Sequence, residues 1–333
     1  MDLTFLDSVW GLTAPWRVEA LGQGTNNRVM RIETTAGRYV LRLYGNHADE
    51  GRVEVELQIL ATLATQHLSF AVPSPVPTRQ GARYAGISTT DGEVLAVLTT
   101  WIAGDHPHGD DLVQAEAAGE ALGRLDQALA DVHLNEPEAV RTWRSYGDLA
   151  HCHPLVPEPP EAIATLPVPD VLRQRLLGRY TWLTDRIPAL YMGLPQQFMH
   201  EDYAPSNVLL QETRVTGVLD FEFCARDVRA MDLTVALSWW PVRVLGTGNE
   251  WPIIRAFTMG YARQVRLGAD ELTAIPVLYE LRAYTSLIHR LGRYRQGLSS
   301  LAAVVARAQA ALERADWLRD SGERFVGTLL ACF

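Results

Sequence analysis

Residues 200–222 constrain the fold of this chain more than any other stretch of the sequence. They read HEDYAPSNVLLQETRVTGVLDFE, and two apolar runs at 208–210 and 215–219 flank a polar turn at 211–214. This pattern predicts a short β-hairpin. If residue 208 pairs with 219, 209 with 218 and 210 with 217, Asn207 lies opposite Asp220, because facing residues of antiparallel strands lie side by side.

The polar residues at the ends of this hairpin have the chemistry of a magnesium site. The amide oxygen of Asn207 and the carboxylate of Asp220 are the oxygen ligands that Mg²⁺ prefers, and this ion is usually shared with substrate phosphates. Asp202 precedes the hairpin by one loop and is expected to reach the same space. An Asp that accepts a hydroxyl proton, with an Asn and a second Asp on Mg²⁺, is the arrangement of phosphoryl transfer in protein kinases. We therefore predict Asp202 and Asn207 as catalytic residues, and Asn207 and Asp220 as metal ligands.

Three motifs in this region together resemble one enzyme family. HEDYAPSN at 200–207, LDFE at 219–222 and MDL at 231–233 resemble the aminoglycoside phosphotransferase family, which includes choline-kinase-like and homoserine-kinase-like enzymes. We expect His200 and Asp232 to hold the catalytic loop by hydrogen bonds. The family usually has Gly where this chain has Glu201, so either the backbone differs there or an extra carboxylate faces the substrate side.

A glycine-rich segment lies near the amino terminus between two stretches of strand-like alternation. Such a turn can lay its N–H groups over phosphate oxygens, although a plain hairpin turn is the competing interpretation. We predict that it covers the nucleotide phosphates through Gly22, Gly24, Thr25, Asn26 and Asn27.

The next strand, predicted over 38–44, places Arg42 on one face with Val40 and Tyr44. By the resemblance, Arg42 stands where kinases carry a lysine that meets the nucleotide phosphates and pairs with a helix Glu. The helix predicted over 50–64 offers several glutamates, of which we predict Glu56 as the partner. The resemblance also implies that the adenine bonds to backbone groups of Thr100 and Ile102.

The predicted fold class is α+β, a two-lobed protein-kinase-like fold. Residues 1–99 are the predicted nucleotide-binding lobe, with a five-stranded sheet and one helix. Residues 100–333 are the predicted catalytic and acceptor-binding lobe, which is mainly helical. Its helices are predicted over 111–132, 171–187, 233–240, 251–265, 270–291 and 299–317, with Gly292 ending one of them. The Pro-rich stretch 136–170 is predicted to be irregular.

Composition and charge exclude several classes of protein. The 333 residues are 47% hydrophobic and 21% charged, which is typical of a globular enzyme with sizeable cores. A net charge of -9 argues against a nucleic-acid partner. The three scattered cysteines indicate a reducing compartment. Since no signal peptide or membrane-length apolar run is present, we expect a cytoplasmic protein without a membrane partner.

These observations predict an enzyme that transfers the γ-phosphate of ATP to a hydroxyl of a small molecule, with ATP and Mg²⁺ as cofactors. The acceptor stays open among aminoglycosides, homoserine, amino alcohols and sugars, and so does the oligomeric state. Candidates for its binding site are Trp239, Trp240, Tyr284 and Glu222, although aromatic residues on helices are more often core. Two alternatives are a protein Ser/Thr kinase of the bacterial stress-response type and a catalytically silent nucleotide-binding protein.

Overall fold

The computed structural model describes residues 3–23, 27–45, 50–89, 92–134 and 145–333. These residues form two compact units. The first consists of the described parts of 1–106, 132–142 and 207–222, and the second of the described parts of 107–131, 143–206 and 223–333. The predicted hairpin over 208–219 therefore belongs to the first unit. The lobes predicted at 1–99 and 100–333 stay a prediction.

The first unit is built on a five-stranded antiparallel sheet in the order β1-β2-β3-β5-β4. Its strands are β1 (Arg17–Gln23), β2 (Asn27–Thr34), β3 (Gly37–Tyr44), β4 (Ala85–Thr89) and β5 (Gly92–Thr100). The sequence predicted all five. Gly22 lies in β1 and Asn27 in β2, whereas the sequence analysis had predicted both in the connecting turn.

Two helices accompany this sheet. The predicted helix over 50–64 is confirmed as α2 (Glu50–Ala64), whereas α1 (Phe5–Trp10) was not predicted. Leu6 and Trp10 of α1 are buried with Leu41 and Leu43 of β3 in one apolar cluster. Because side chains alternate along a strand, this core covers one face of β3 and leaves Arg42 on the other.

The predicted hairpin is present as β7 (Val208–Gln211) and β8 (Arg214–Val218), but its predicted register is wrong. Val208 pairs with Val218, and a bulge shifts the register between Leu209 and Leu210. The turn lies between Gln211 and Arg214, so Leu210 pairs with Val215 rather than with 217, and the extra residue Thr216 recovers one of these two positions. Asn207 therefore faces Leu219, whose N–H donates to the Asn207 carbonyl at 2.8 Å, and Asp220 lies one residue beyond.

Close backbone contacts within the first unit hold this hairpin. The backbone of Leu210 exchanges two hydrogen bonds of 2.8 Å with Asp105, and Thr216 and Val218 bond to Ala71. Gly104 has φ +153°, and a Cβ there would lie 2.9 Å from the Leu209 Cβ and 3.0 Å from the Leu210 carbonyl oxygen. A glycine is therefore required where this segment meets the hairpin.

The second unit is mainly helical. Its elements are α3 (Leu112–Ala130), α4 (Pro159–Ala164), α5 (Asp170–Thr184), α6 (Ile187–Gly193), β6 (Gln196–Met199), β9 (Ala225–Val228), α7 (Ala230–Trp239), α8 (Glu250–Ala262), α9 (Ala269–Arg295) and α10 (Leu301–Leu330). The short strands β6 and β9 pair antiparallel. No helix among the described residues is long and apolar enough to cross a membrane.

Several predicted boundaries in this unit were wrong. The Pro-rich stretch contains α4, and α6 follows α5 as a separate helix. Helix α9 continues through Gly292 to Arg295. A Cβ at Gly292 would lie 2.1 Å from Nδ1 of His153, so this glycine makes room for a packed imidazole rather than ending the helix.

Helices α3 and α8 approach each other closely through two glycines. A Cβ at Gly260 of α8 would lie 2.0 Å from the Glu116 carbonyl oxygen, and one at Gly119 of α3 would lie 2.0 Å from the Phe257 carbonyl oxygen. Both obstacles are backbone atoms, which a rotamer change cannot move. The packing of these helices therefore depends on the missing side chains.

We predict that Gly260→Ala destabilises the protein by about 1–3 kcal/mol, because the added methyl forces the two helices apart. Gly178→Ala in α5 is the matched control, since a Cβ there meets nothing within 4 Å. It should stabilise by about 0.5–1 kcal/mol through helix propensity. The midpoints of urea unfolding measure both changes. A wild-type midpoint for Gly260→Ala would contradict the close approach.

Candidate functional site

Arg42 is the centre of an ionic cluster in the first unit, here called the Arg42 cluster. It consists of Arg42 and the carboxylates of Glu56, Asp220 and Glu222. Strand β3 supplies Arg42 from the face opposite the apolar core, α2 supplies Glu56, and the segment after β8 supplies the other two. The predicted pairing of Arg42 with Glu56 is thus present.

The guanidinium distributes its N–H groups over all three carboxylates. Nη1 of Arg42 lies 3.0 Å from Oε1 of Glu56, and Nη2 lies 2.6 Å from Oδ1 of Asp220 and 3.1 Å from Oε2 of Glu222. The planar fork of arginine is suited to such divided contacts, whereas a lysine offers a single nitrogen. Arg42 therefore fixes the mutual positions of a strand, a helix and a hairpin end.

Charge in the Arg42 cluster is unbalanced, with one cation against three carboxylates. Burial alone would lower the pKa of Arg42, but Asp220, Glu56 and Glu222 raise it well above its ordinary value. The pKa of Glu56 is raised to about 7. Burial is the main cause, Arg42 opposes it, and the charges of Glu222 and Asp220 add to it. The excess of negative charge favours a bound cation.

Two uncharged side chains complete this cluster. The Tyr44 hydroxyl donates to Oε2 of Glu56 at 2.9 Å, and the Arg42 guanidinium carbon lies 5.1 Å from the Tyr44 ring centroid. The Asn27 amide donates to Oε2 of Glu222 at 2.5 Å. Sequence reasoning missed the role of Tyr44, although the predicted alternation already placed it on the face of Arg42. It offered Glu222 for the acceptor site, and the structure pairs that carboxylate with Arg42 instead.

Asn207 and Asp220 both lie at the open ends of the hairpin strands. Asn207 is buried at the end of a 3₁₀ turn, Pro205–Asn207. Asp220 has a positive φ of 64°, a left-handed conformation that costs energy for most non-glycine residues and concentrates at functional sites. The strained backbone turns Asp220 out of the β8 direction, directly after the Leu219–Asn207 backbone contact.

The loop after β6 in the second unit carries Asp202 and is held through its backbone. Asp232, in the first turn of α7, accepts the N–H groups of His200 and Glu201, both at 2.6 Å. Nδ1 of His200 accepts the N–H of Asp202 at 3.2 Å. The expectation that His200 and Asp232 hold this loop is confirmed, and the Asp202 side chain stays half-buried.

A tyrosine that the sequence analysis missed supports the same loop. The Tyr146 hydroxyl donates to the Glu201 carbonyl at 3.0 Å. Its own N–H donates to Asp227 at 2.7 Å, and Asp227 also accepts from the Tyr191 hydroxyl at 2.8 Å. The sequence around Tyr146 has no hydrophobic periodicity, so no sequence pattern pointed to it.

Glu201 keeps a backbone that glycine would adopt without cost. Its φ is 64°, and its side chain is only 5% exposed. Burial, followed by the charges of Asp227 and Asp232, raises the pKa of Glu201 well above its usual value. Both effects favour the neutral form of this carboxyl over the charged one. Its Oε1 has no hydrogen-bond partner among the described residues.

The residues predicted to bind the nucleotide are placed as follows. Gly22 and Asn27 lie in β1 and β2, while Gly24, Thr25 and Asn26 lie outside the described residues. Thr100 ends β5, and its N–H donates to the Ser74 carbonyl at 3.1 Å, so that this N–H is already engaged. Ile102 follows two residues later. Nucleotide binding by these residues stays a prediction.

Two of the aromatic candidates for the acceptor site are core residues. Trp240 is 2% exposed and Tyr284 is fully buried. Trp239 is partly exposed and lies under the guanidinium of Arg282.

Comparisons with known proteins agree with this arrangement. The model of the phosphotransferase enzyme family matches residues 17–251. A homoserine kinase from Bradyrhizobium sp. is 28% identical over 276 residues, which cover 82% of this chain and 78% of that protein.

Solved structures show the same fold. A microcompartment-associated aminopropanol kinase has a TM-score of 0.75 at 18% identity, covering 98% of this chain and 99% of its own. The choline kinase of Cryptosporidium parvum has a TM-score of 0.60 at 13% identity, covering 92% of this chain and 91% of its own.

The predicted protein-kinase-like fold is confirmed by these findings. The predicted class of activity, ATP-dependent transfer of a phosphoryl group to a small molecule, is confirmed as well. Because the family model matches residues 17–251 of 333, well over half of the sequence, the chain belongs to the phosphotransferase enzyme family.

Proposed function

We propose that the chain transfers the γ-phosphate of ATP to the hydroxyl of a small hydroxy-amino compound, with Mg²⁺ as the metal. The observation that carries the proposal is the Arg42 cluster, in which a strand cation, a helix glutamate and the predicted metal-binding Asp220 meet. In phosphoryl transfer of the kinase type the protein mainly positions the reactants and compensates charge. The cluster supplies the groups for both tasks.

Asp202 is the proposed general base. Its carboxylate would orient the acceptor hydroxyl and accept its proton as the phosphoryl group is transferred. The hydrogen bonds from His200, Asp232 and Tyr146 fix the backbone on both sides of this residue. A loop held in this way keeps the carboxylate in position between turnovers.

Asn207 and Asp220 are the proposed Mg²⁺ ligands. Their oxygen donors fit this ion, which binds through one or two protein groups and keeps its other positions for water and phosphate. The described residues contain no group of three or more His, Cys, Asp and Glu suited to a metal, so a metal held mostly by protein carboxylates does not fit. When bound, Mg²⁺ would neutralise charge on the β- and γ-phosphates.

The nucleotide is proposed to lie against the first unit. Arg42, oriented by Glu56, would contact its phosphates. The segment from Gly22 to Asn27, including Gly24, Thr25 and Asn26, would cover them with backbone N–H groups, and backbone groups of Thr100 and Ile102 would bond the adenine. Support comes from the buried position of Arg42 and its persistent charge.

The acceptor class follows from the curated relatives, which are homoserine kinases. An ADP-release assay with Mg-ATP and a panel of homoserine, amino alcohols, aminoglycosides and sugars tests the proposal. We expect acceptor-dependent ADP release, fastest with a hydroxy-amino compound. Release that no small molecule stimulates, with label entering protein instead, would favour the protein-kinase alternative.

The proposed base Asp202 and the proposed metal ligand Asp220 should respond differently to substitution. Asp202→Asn should leave Mg-ATP affinity nearly unchanged and lower kcat by about 10²- to 10⁴-fold, because the general base is lost. Asp220→Asn should first raise the Mg²⁺ requirement and weaken Mg-ATP binding. Asp110→Asn, at an exposed aspartate, is the matched control and should change neither. Calorimetry at several Mg²⁺ concentrations and steady-state rates would check this, and identical profiles for the two variants would reverse the assignment.

Replacing Arg42 should show that its fork is needed rather than its charge alone. Arg42→Ala should weaken ATP binding and lower turnover. It should also cost about 3–5 kcal/mol of stability, because Glu56 would remain buried without its cation. Arg42→Lys should recover only part of each property, since one ammonium cannot reach both Glu56 and Asp220.

Arg79→Lys is the control for the Arg42 variants, because Arg79 forms an exposed pair with Asp7. Urea unfolding and nucleotide titration measure the effects. Full recovery in Arg42→Lys would contradict the argument from geometry.

A further inference from the structure

A second group of arginines lies in the second unit without carboxylate partners. This Arg282 cluster consists of Tyr279 and Arg282 of α9, Arg307 and Arg314 of α10, and Trp239 of α7. Arg282 is 6% exposed and Arg314 is 7% exposed. Buried guanidinium groups are normally paired with acids. Among the described residues, neither Arg282 nor Arg307 nor Arg314 forms a salt bridge.

The unsatisfied groups of this cluster are all hydrogen-bond donors. Nε of Arg282, Nε of Arg314, the Tyr279 hydroxyl and Nε1 of Trp239 are buried and have no hydrogen-bond partner in the described part of the chain. The guanidinium carbon of Arg282 lies 4.7 Å from the Trp239 ring centroid. Leaving buried donors unpaired is costly. Such a set is complementary to a ligand that carries acceptors and negative charge.

Like charges make the cluster more costly still. Burial, followed by the charges of Arg290, Arg314 and Arg282, lowers the pKa of Arg307 to about 10. Glu250, whose charge also acts on Tyr279, does not relieve this repulsion by an ion pair. It accepts hydrogen bonds from Trp317 and the Gly248 backbone instead. An anion bound among the arginines would remove both the repulsion and the unpaired donors.

Helix α7 connects the Arg282 cluster to the loop of the proposed general base, because it carries both Trp239 and Asp232, whose carboxylate binds the loop backbone. Burial lowers the pKa of Arg282, while Tyr146 and Asp202 act on it in the opposite direction. Tyr146 is the residue that bonds the Glu201 carbonyl. A ligand anchored at Arg282 is therefore within electrostatic reach of Asp202.

We propose that the Arg282 cluster binds a carboxylate of the acceptor, so that the substrate is a hydroxy acid or hydroxy amino acid rather than a carboxylate-free amino alcohol or sugar. The guanidinium forks of Arg282 and Arg314 bind the carboxylate oxygens, and Tyr279 and Trp239 add single donors. The hydroxyl at the other end of the acceptor is then presented to Asp202. This inference rests on the proposed function, of which it narrows the substrate class.

Matched acceptors test the proposal in the wild-type protein. L-Homoserine and 3-amino-1-propanol differ only by the carboxylate, and so do glycerate and ethylene glycol. We expect kcat/KM to be about 10- to 150-fold higher for the carboxylate member of the preferred pair, which corresponds to a charged hydrogen bond. A best acceptor that lacks an anionic group would overturn the proposal.

Arg282→Gln assigns the effect to this site. It should lower kcat/KM for the carboxylate acceptor by about 10- to 150-fold, mainly through KM, and leave the carboxylate-free partner within about twofold. Arg319→Gln is the control on α10, because Arg319 is exposed and paired with Asp316 and Asp320. An equal loss for both acceptors would mean that Arg282 is only structural and would overturn the proposal.

A binding measurement separates failure of this proposal from failure of the proposed function. L-2-Aminobutyrate keeps the carboxylate and amine of homoserine but has no hydroxyl to phosphorylate, and 1-aminopropane lacks the carboxylate as well. Calorimetry should detect binding of the first only, lost in Arg282→Gln. Such binding without phosphorylation of any acceptor would sustain the carboxylate site and contradict the proposed reaction. If neither compound nor glycerate binds, the carboxylate site is refuted.

Discussion

The candidate site depends on the ion pairs of Arg42. Arg42 joins Glu56, 14 residues away in sequence, to Asp220, 178 residues away, and so fixes a strand, a helix and a hairpin end around one guanidinium. A buried ion pair of this kind contributes little net stability, because desolvation offsets the attraction. The contribution of this ion pair is to hold the strand, the helix and the hairpin end in fixed positions. Removing the cation would leave a buried Glu56 and two repelling carboxylates, so the sequence can change little here without changing the geometry.

The loop that carries Asp202 is fixed by a different means. The side chain of Asp202 is the proposed general base. Hydrogen bonds to the loop backbone make the loop rigid, since Asp232 and His200 accept its N–H groups and Tyr146 donates to one of its carbonyls. The left-handed conformation of Glu201 is retained although glycine is absent. Burial and the nearby charges of Asp227 and Asp232 raise the pKa of Glu201 above its usual value, so its position in the loop disfavours the charged form.

Two charge imbalances of opposite sign indicate what each region binds. In the first unit, three carboxylates share one cation, which favours a metal ion. In the second unit, Arg282 and Arg314 are buried and form no salt bridge with the described residues, which favours an anion. A protein that leaves charge uncompensated in its interior bears a cost that a bound ligand of opposite charge reduces. The distribution of unpaired charge therefore reports on ligands that the fold alone does not specify.

The sequence by itself determined the sheet, most helices and the hairpin, because alternation and helical spacing are local properties. Motif order also singled out Asp202, Asn207, Asp220 and Arg42 as candidate site residues. The sequence did not determine the hairpin register, since one bulged residue shifts every pair beyond it. Only the tertiary structure showed that Glu222 forms an ion pair with Arg42 and that Tyr146 donates a hydrogen bond to the loop of Asp202. It also showed that the His153 ring packs against Gly292. It also revealed Arg282 as a buried cation that forms no salt bridge among the described residues. These contacts join residues far apart in the chain, and their energies depend on burial, which no local pattern encodes.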